Sequence, residues 1–172
     1  MPYILVMKRN RTVLAILLAA VSVFTLAACS DDEGEQDTTE RNEDGEIEEE
    51  GTIGVFAFEE GDCILLPDTS GTTAESSYDA VPCDEPHDVQ VFGLFDIDGD
   101  EFPGQSAVAD EAAERCQGDE WDDAFDIAYL DDPDHGTLNL SPSADTWEQG
   151  DREVVCLVAR IDGEPLTEDL VR

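Results

Sequence analysis

The sequence predicts an α+β domain in which a small antiparallel or mixed sheet carries one main helix and two disulfides staple the whole. Three observations lead there. Short β-rich runs stand before and after a single amphipathic stretch, "GQSAVADEAAERCQ". Four cysteines, Cys63, Cys83, Cys116 and Cys156, fall within or beside those elements. From residue 52 to 172 the chain runs for about 120 residues, the size of one domain.

In chain order, "TIGVFAF" (52–58) and "CILLP" (63–67) are short, β-rich and bounded by Gly and Pro, and read as strands. Residues 68–77, rich in Ser, Thr and Gly, read as a mobile loop. "DVQVFGLFDI" (88–97) is the longest strand candidate. Pro103 and Gly104 end the turn after it, and a helix should begin near Ser106, whose hydroxyl suits an N-cap. Val108, Ala112 and Cys116 recur every four residues with Ala109 and Ala113 beside them, which makes one helical face small and apolar. Asp110, Glu111, Glu114 and Arg115 take the solvent side, and residues 117–136 read as long acidic loops. "TLNLSPSADTW" gives a short strand, then a turn after Pro142 that Trp147 packs down; "EVVCLVARI" (153–161) is the last strand.

Ahead of this domain, Lys8, Arg9 and Arg11 precede an apolar run from Val13 to Ala28. A basic start followed by roughly 15 apolar residues, short of the ~20 needed to span a bilayer, reads as an export signal over residues 1–28. Leu26-Ala27-Ala28-Cys29 has the form of a bacterial lipobox, in which the thiol receives fatty chains such as palmitate and becomes the first residue after cleavage. The expected location is the outer face of the cell membrane, with Cys29 as the lipid anchor. Residues 1–6, "MPYILV", put apolar bulk ahead of the charges, so translation is expected to start at Met7.

Beyond the leader the chain is acidic. Three of its 8 Lys and Arg lie in the leader, none of its 44 Asp and Glu do, and no lysine follows. Between Ser30 and Glu50 stand 12 acids, Arg41 and one aliphatic residue, Ile47, too little apolar surface to offset the entropy of ordering. Residues 29–51 therefore read as a lipidated cysteine and a disordered acidic tether, roughly 25 Å across as a flexible coil. The domain that follows keeps 32 acids against four arginines. Such an excess repels itself at low ionic strength, so added salt should raise stability. Nucleic acid is excluded as a partner because its phosphates need a cationic patch; a basic protein or envelope component fits.

With Cys29 assigned to lipid, the other four thiols form an even set, which in an exported chain reads as a disulfide framework. Three connectivities are open to them. Cys63 with Cys83 would close the loop at 68–77, and Cys116 with Cys156 would tie the helix to the last strand; these pairings are expected. The rival is a four-thiolate zinc site, which lacks any C-x-x-C spacing here, so no metal and no cofactor is expected.

"GDCILLPD", "VPCDEPHDVQVFG", "FPGQSAVADEAAERC" and "SPSADTWEQGDREVVCLV" follow one another in the chain. Together they resemble the septum-formation domain family of actinobacterial surface lipoproteins, over about residues 61 to 158. Gly61, Asp62, Cys63, Cys83, His87, Pro103, Gly104, Cys116, Trp147, Gly150, Asp151, Arg152 and Cys156 stand at the matching positions. The resemblance implies an extracytoplasmic location, paired cysteines and a connection to septation, without an established enzymatic activity.

Each reactive group has a plain structural reading beside the functional one. His87 in "CDEPHD" has the chemistry of a general base, yet such a residue more often closes a turn on the backbone. No nucleophile motif accompanies it. His135 in "DDPDHG" reads as part of a solvated acidic loop, and Trp121 and Trp147 read as core anchors. Asp96, Asp98 and Asp100 have the spacing that opens a calcium loop, but Glu101 and Ala107 stand where that loop needs Gly and Glu. Asp122 and Asp123 offer paired carboxylates without any fixed separation. The leading expectation is a non-catalytic, lipid-anchored envelope module that binds a cell-surface or division protein, linked to septum formation. The alternative is a calcium-binding or hydrolytic surface domain using His87 and the loop carboxylates.

Overall fold

The computed structural model describes residues 37–67 and 77–171. The leader, Cys29, the first part of the expected tether and most of the expected loop at 68–77 lie outside the described residues. Six strands form one antiparallel sheet in the order β1-β3-β2-β4-β6-β5. They are β1 (Gly51–Gly54), β2 (Cys63–Leu65), β3 (Ser77–Val81), β4 (Val89–Asp96), β5 (His135–Leu140) and β6 (Glu153–Arg160). The α+β expectation holds, as do the disulfides Cys63–Cys83 and Cys116–Cys156. Among the described residues no helix is long and apolar enough to cross a membrane.

β4 and β6 are central because their sequences are apolar at nearly every position, so both faces can be covered. In β6, Val154, Cys156 and Val158 join a core with the helices, while Val155 and Leu157, pointing the other way, join a second core with Ile53, Ile64 and Val91. The ladder between β4 and β6 shifts register between Val91 and Gly93. A Cβ on Gly93 would stand 3.1 Å from the Glu120 Cβ, so the absent side chain is what admits the helix at that point.

α1 (Gln105–Cys116) and α2 (Asp119–Ala124) run on as one bent helix. The bend needs Gly118, where a Cβ would lie 2.9 Å from the Glu114 carbonyl oxygen. Val108, Ala112 and Cys116 are buried as the spacing predicts, but Ala109 is exposed. Ser106 does not cap the helix; Gly104 does, at φ 98°, because the chain enters from a backbone region that glycine occupies without strain. Arg115 also departs from the solvent side. Its guanidinium lies 3.7 Å from the Phe95 ring centroid and donates to Glu120 Oε1 at 2.6 Å.

The expected loops at 117–136 hold α2 and a 3-10 turn at Tyr129–Asp131. Trp121 orders them. Fully buried, it donates from Nε1 to the Ile127 carbonyl at 2.7 Å and meets the rings of Phe92, Phe125 and Tyr129 at centroid distances of 5.5, 4.3 and 5.2 Å. Strand β3 has no clear signal in the sequence, because "SYDAV" carries a mid-strand Asp79 and follows a polar run. The strand expected over 52–58 ends at Gly54, where a turn begins that Ala57 closes by donating to the Gly54 carbonyl. α3 (Ala144–Glu148) replaces the expected turn after Pro142.

The expected disordered tether is corrected over residues 37–50, which fold onto the domain. Arg41 and Ile47 pair as an antiparallel bridge, and Asn42 Oδ1 accepts the N–H groups of Asp44 and Glu46 inside the turn. Thr38 then donates to the Thr52 carbonyl and accepts the Thr52 N–H at its hydroxyl, so this segment covers the β1 edge. Composition misled because two residues suffice. Ile47 enters the second core and Arg41 finds a buried acid beyond the segment.

Candidate functional site

The end of the sheet built from β1, β3 and β2 is held by polar side chains. Asp62, only 2% exposed, receives Arg41 through two guanidinium nitrogens, at 2.5 and 2.9 Å, and also accepts the Glu59 N–H at 2.8 Å. The hydrogen bond to Asp62, with the charges of Asp62, Glu59 and Asp37, holds the Arg41 guanidinium pKa above its ordinary value against the opposing effect of burial. Gln90, fully buried in β4, donates to Asp169 Oδ1 at 2.6 Å and to the Gly61 carbonyl at 3.2 Å, and accepts the Leu170 N–H at 2.8 Å. It thus fixes the C-terminal tail beside the Cys63–Cys83 bridge. Between the N-terminal hairpin, that bridge and the tail lies an open cleft of about 520 Å³. Asp44, Glu46, Glu60, Asp84 and Asp169 line it, and among the described residues no basic side chain does.

A second clamp sits at the helix end. Ser143 caps α3, accepting the Thr146 N–H at 3.1 Å while its own N–H donates to Thr146 Oγ1. Gly150, at φ 100°, closes the other end: its N–H reaches the Trp147 carbonyl and that of Asp151 reaches the Thr146 carbonyl. Arg152 stacks on Trp147 at 3.7 Å and donates to the carbonyls of Trp147, Asp151 and Gly99, while Trp147 Nε1 donates to the Asp100 carbonyl. The Asp96–Asp100 turn is therefore held through its backbone. Among the described residues no three His, Cys, Asp or Glu side chains converge to hold a metal ion.

His87 is buried at 1% exposure and lines neither cleft. Its Nδ1 lies 2.8 Å from the Glu85 carbonyl oxygen, and its backbone pairs in both directions with Leu166 of the tail. Nε2 is buried without a partner among the described residues. His135 is not in a solvated loop: it opens β5, with Nδ1 3.0 Å from Asp132 Oδ2. Burial pushes the Asp132 carboxyl up, but the Asp134 N–H, the His135 ring and the His135 N–H outweigh it and hold the carboxyl below its usual range. Asp122 and Asp123 border a shallower depression of about 410 Å³ with Phe125, Ile127 and Leu170. Trp121 and Trp147 are both core residues. The Arg41–Asp62 and Gln90–Asp169 contacts were not foreseen; the signal available was an Asp fixed between Gly61 and Cys63 in a domain short of cations.

Fold and site define a small, acidic, twice disulfide-bonded α+β domain whose polar end is clasped around an open cleft. Residues 60–168 match the family described as Septum formation, and the chain belongs to that family. The family description connects it with cell division. No curated protein and no solved structure matches the chain. The hairpin that carries Arg41 lies outside the matched residues, whereas its partner Asp62 lies within them.

Proposed function

We propose that this protein is a non-catalytic module, anchored by lipid on Cys29 to the outer face of the membrane, that binds a cationic envelope or division protein during septum formation. One observation carries the reading: every arginine among the described residues is already engaged. Arg41 is paired with Asp62, Arg115 with Glu120 and Arg160 with Asp162, and Arg152 is spent on backbone carbonyls and Trp147. The charge left to meet a partner is thus almost wholly negative, which favours association with a basic surface and steers its approach. His87 is bonded to a backbone carbonyl away from either cleft, which favours binding over the hydrolytic alternative. The test is photo-crosslinking in living cells from positions around the domain, with mass spectrometry of the captured proteins. Basic envelope proteins, recovered only when Cys29 is intact, are the expected result. Capture independent of Cys29, or calcium binding by calorimetry at micromolar affinity, would overturn the reading.

A further inference from the structure

The two edges of the sheet are treated differently. β1 is covered by Thr38, but among the described residues β5 at the far side pairs only with β6. The Ile161 N–H donates to the Asp134 carbonyl, which fixes the phase of that ladder. In an antiparallel pair the residues alternate, so Gly136, Leu138 and Leu140 turn their backbone groups to β6 while Thr137 and Asn139 turn theirs outward. Those outward N–H groups have no protein partner among the described residues. The strand itself, "HGTLNL", has no Pro, no Lys and no bulge, the devices that usually blunt an edge. Apolar surface lies beside it: Leu138 is 45% exposed and Ile161 65% exposed, and the Ile161 Cγ1 lies 3.6 Å from where a Gly136 Cβ would be. Both side chains therefore share one face along the open rim.

Charge selects the occupant. Asp131, Asp132 and Asp134 lead into β5, and the nearby Arg160 is neutralised by Asp162. The chain's formal net charge of −36 opposes edge-to-edge pairing of two copies at low salt. We propose that the outer rim of β5 receives an extended, Lys/Arg-flanked segment of a partner protein as a seventh strand, with alternate apolar side chains against Leu138 and Ile161. This deepens the binding-module reading above and rests on it.

The full chain in detergent micelles is titrated with a fluorescent peptide of about ten residues, alternating Val and Thr with two Lys at each end. Controls are a Glu-ended copy and a copy N-methylated at alternate residues. The Lys-ended peptide should bind, weaken as salt rises, and protect the Thr137 and Asn139 amides from hydrogen exchange. Thr137→Pro removes one outward N–H and leaves the inner ladder intact, so affinity should fall about tenfold or more. N-methylation should abolish binding whatever the variant's stability. No binding by the Lys-ended peptide, equal binding of the Glu-ended peptide, or indifference to both Thr137→Pro and N-methylation would overturn the proposal. A dimer by sedimentation that Thr137→Pro dissolves would instead assign the edge to a second copy. If crosslinking captures the same basic partners from wild type and Thr137→Pro alike, the edge proposal fails and the module reading stands.

Discussion

The two disulfides sit in unlike surroundings, and so do the two ends of the sheet. Cys116 and Cys156 are both wholly buried among Val108, Trp121, Val154 and Val158. Cys63 is buried too, but Cys83 borders the acidic cleft. One end is held by packed apolar and aromatic side chains. The other adds directional polar contacts, Arg41 with Asp62 and Gln90 with the tail, to its own apolar core around Ile53 and Ile64. Apolar packing is spread over many contacts and yields gradually; a buried ion pair fails when either partner is removed.

The largest effect should come from the disulfides. Replacing Cys116 and Cys156 by Ala opens a loop of roughly 41 residues and should cost about 4 kcal/mol; replacing Cys63 and Cys83, with a loop of roughly 21 residues, should cost about 3 kcal/mol. Urea unfolding measures both. Hydrogen exchange should separate them: the first pair loosens α1 and β6, the second the cleft and the tail. Next, Arg41→Met strands the buried Asp62 carboxylate and should cost about 3 kcal/mol. The double change Arg41→Met with Asp62→Leu should restore most of it. A single Arg41→Met with wild-type stability would remove the distinction between the two ends.

These same contacts mark where the sequence was legible. Periodicity in β4, β6 and α1 reports burial directly, since apolar residues recur on the faces that pack, and the expected pairing of the four cysteines is the one observed. α2 was hidden because Asp119, Glu120, Asp122 and Asp123 look like loop composition; the one residue that organises them, Trp121, carries no period. The N-terminal hairpin was hidden for a related reason. Counting apolar residues predicts disorder for 37–50, and the count is correct, but Arg41 gains its stabilisation from Asp62, 21 positions away. Pairings across that distance leave no local pattern. The β5 edge was equally invisible, because which strand ends a sheet is a property of topology.

Salt probes the surface acids more than the clasp. Two like charges 10 Å apart cost about 0.4 kcal/mol in water without salt, and molar salt, with a Debye length near 3 Å, removes most of that. Summed over a surface with so many carboxylates, the expected stabilisation is on the order of 1 kcal/mol, read as a rise in melting temperature from low to molar sodium chloride. The penalty of Arg41→Met, which acts on a buried carboxylate, should change little across the same series. A flat or falling melting temperature in the wild type would show that surface repulsion is not the burden the composition implies.

The smallest effect concerns Glu153, at the start of β6. Burial, then the charges of Asp96 and Asp151, push its carboxyl above the ordinary glutamate value, and Asp96 stands directly opposite it in the ladder. A raised acid pKa means that the folded state holds the proton more tightly than the unfolded chain. Its contribution to stability is therefore complete below the usual glutamate value of about 4.3 and declines as pH rises through the folded pKa. Glu153→Gln removes both that decline and a like-charge pair, and should stabilise by about 0.5 kcal/mol at pH 7 while changing nothing near pH 4. Asp96→Asn should relieve the same repulsion, so the two changes together should gain less than their sum. Asp132 bends the other way: its carboxyl sits below the ordinary value, so its contribution is present at neutral pH and is lost as pH falls through the folded pKa. Asp132→Asn should therefore destabilise at pH 7 and converge with wild type in acid. Melts of the two variants from pH 3 to 7 that ran in parallel, rather than in opposite directions, would show that the β5 and β6 carboxylates are governed by overall charge and not by their own neighbours.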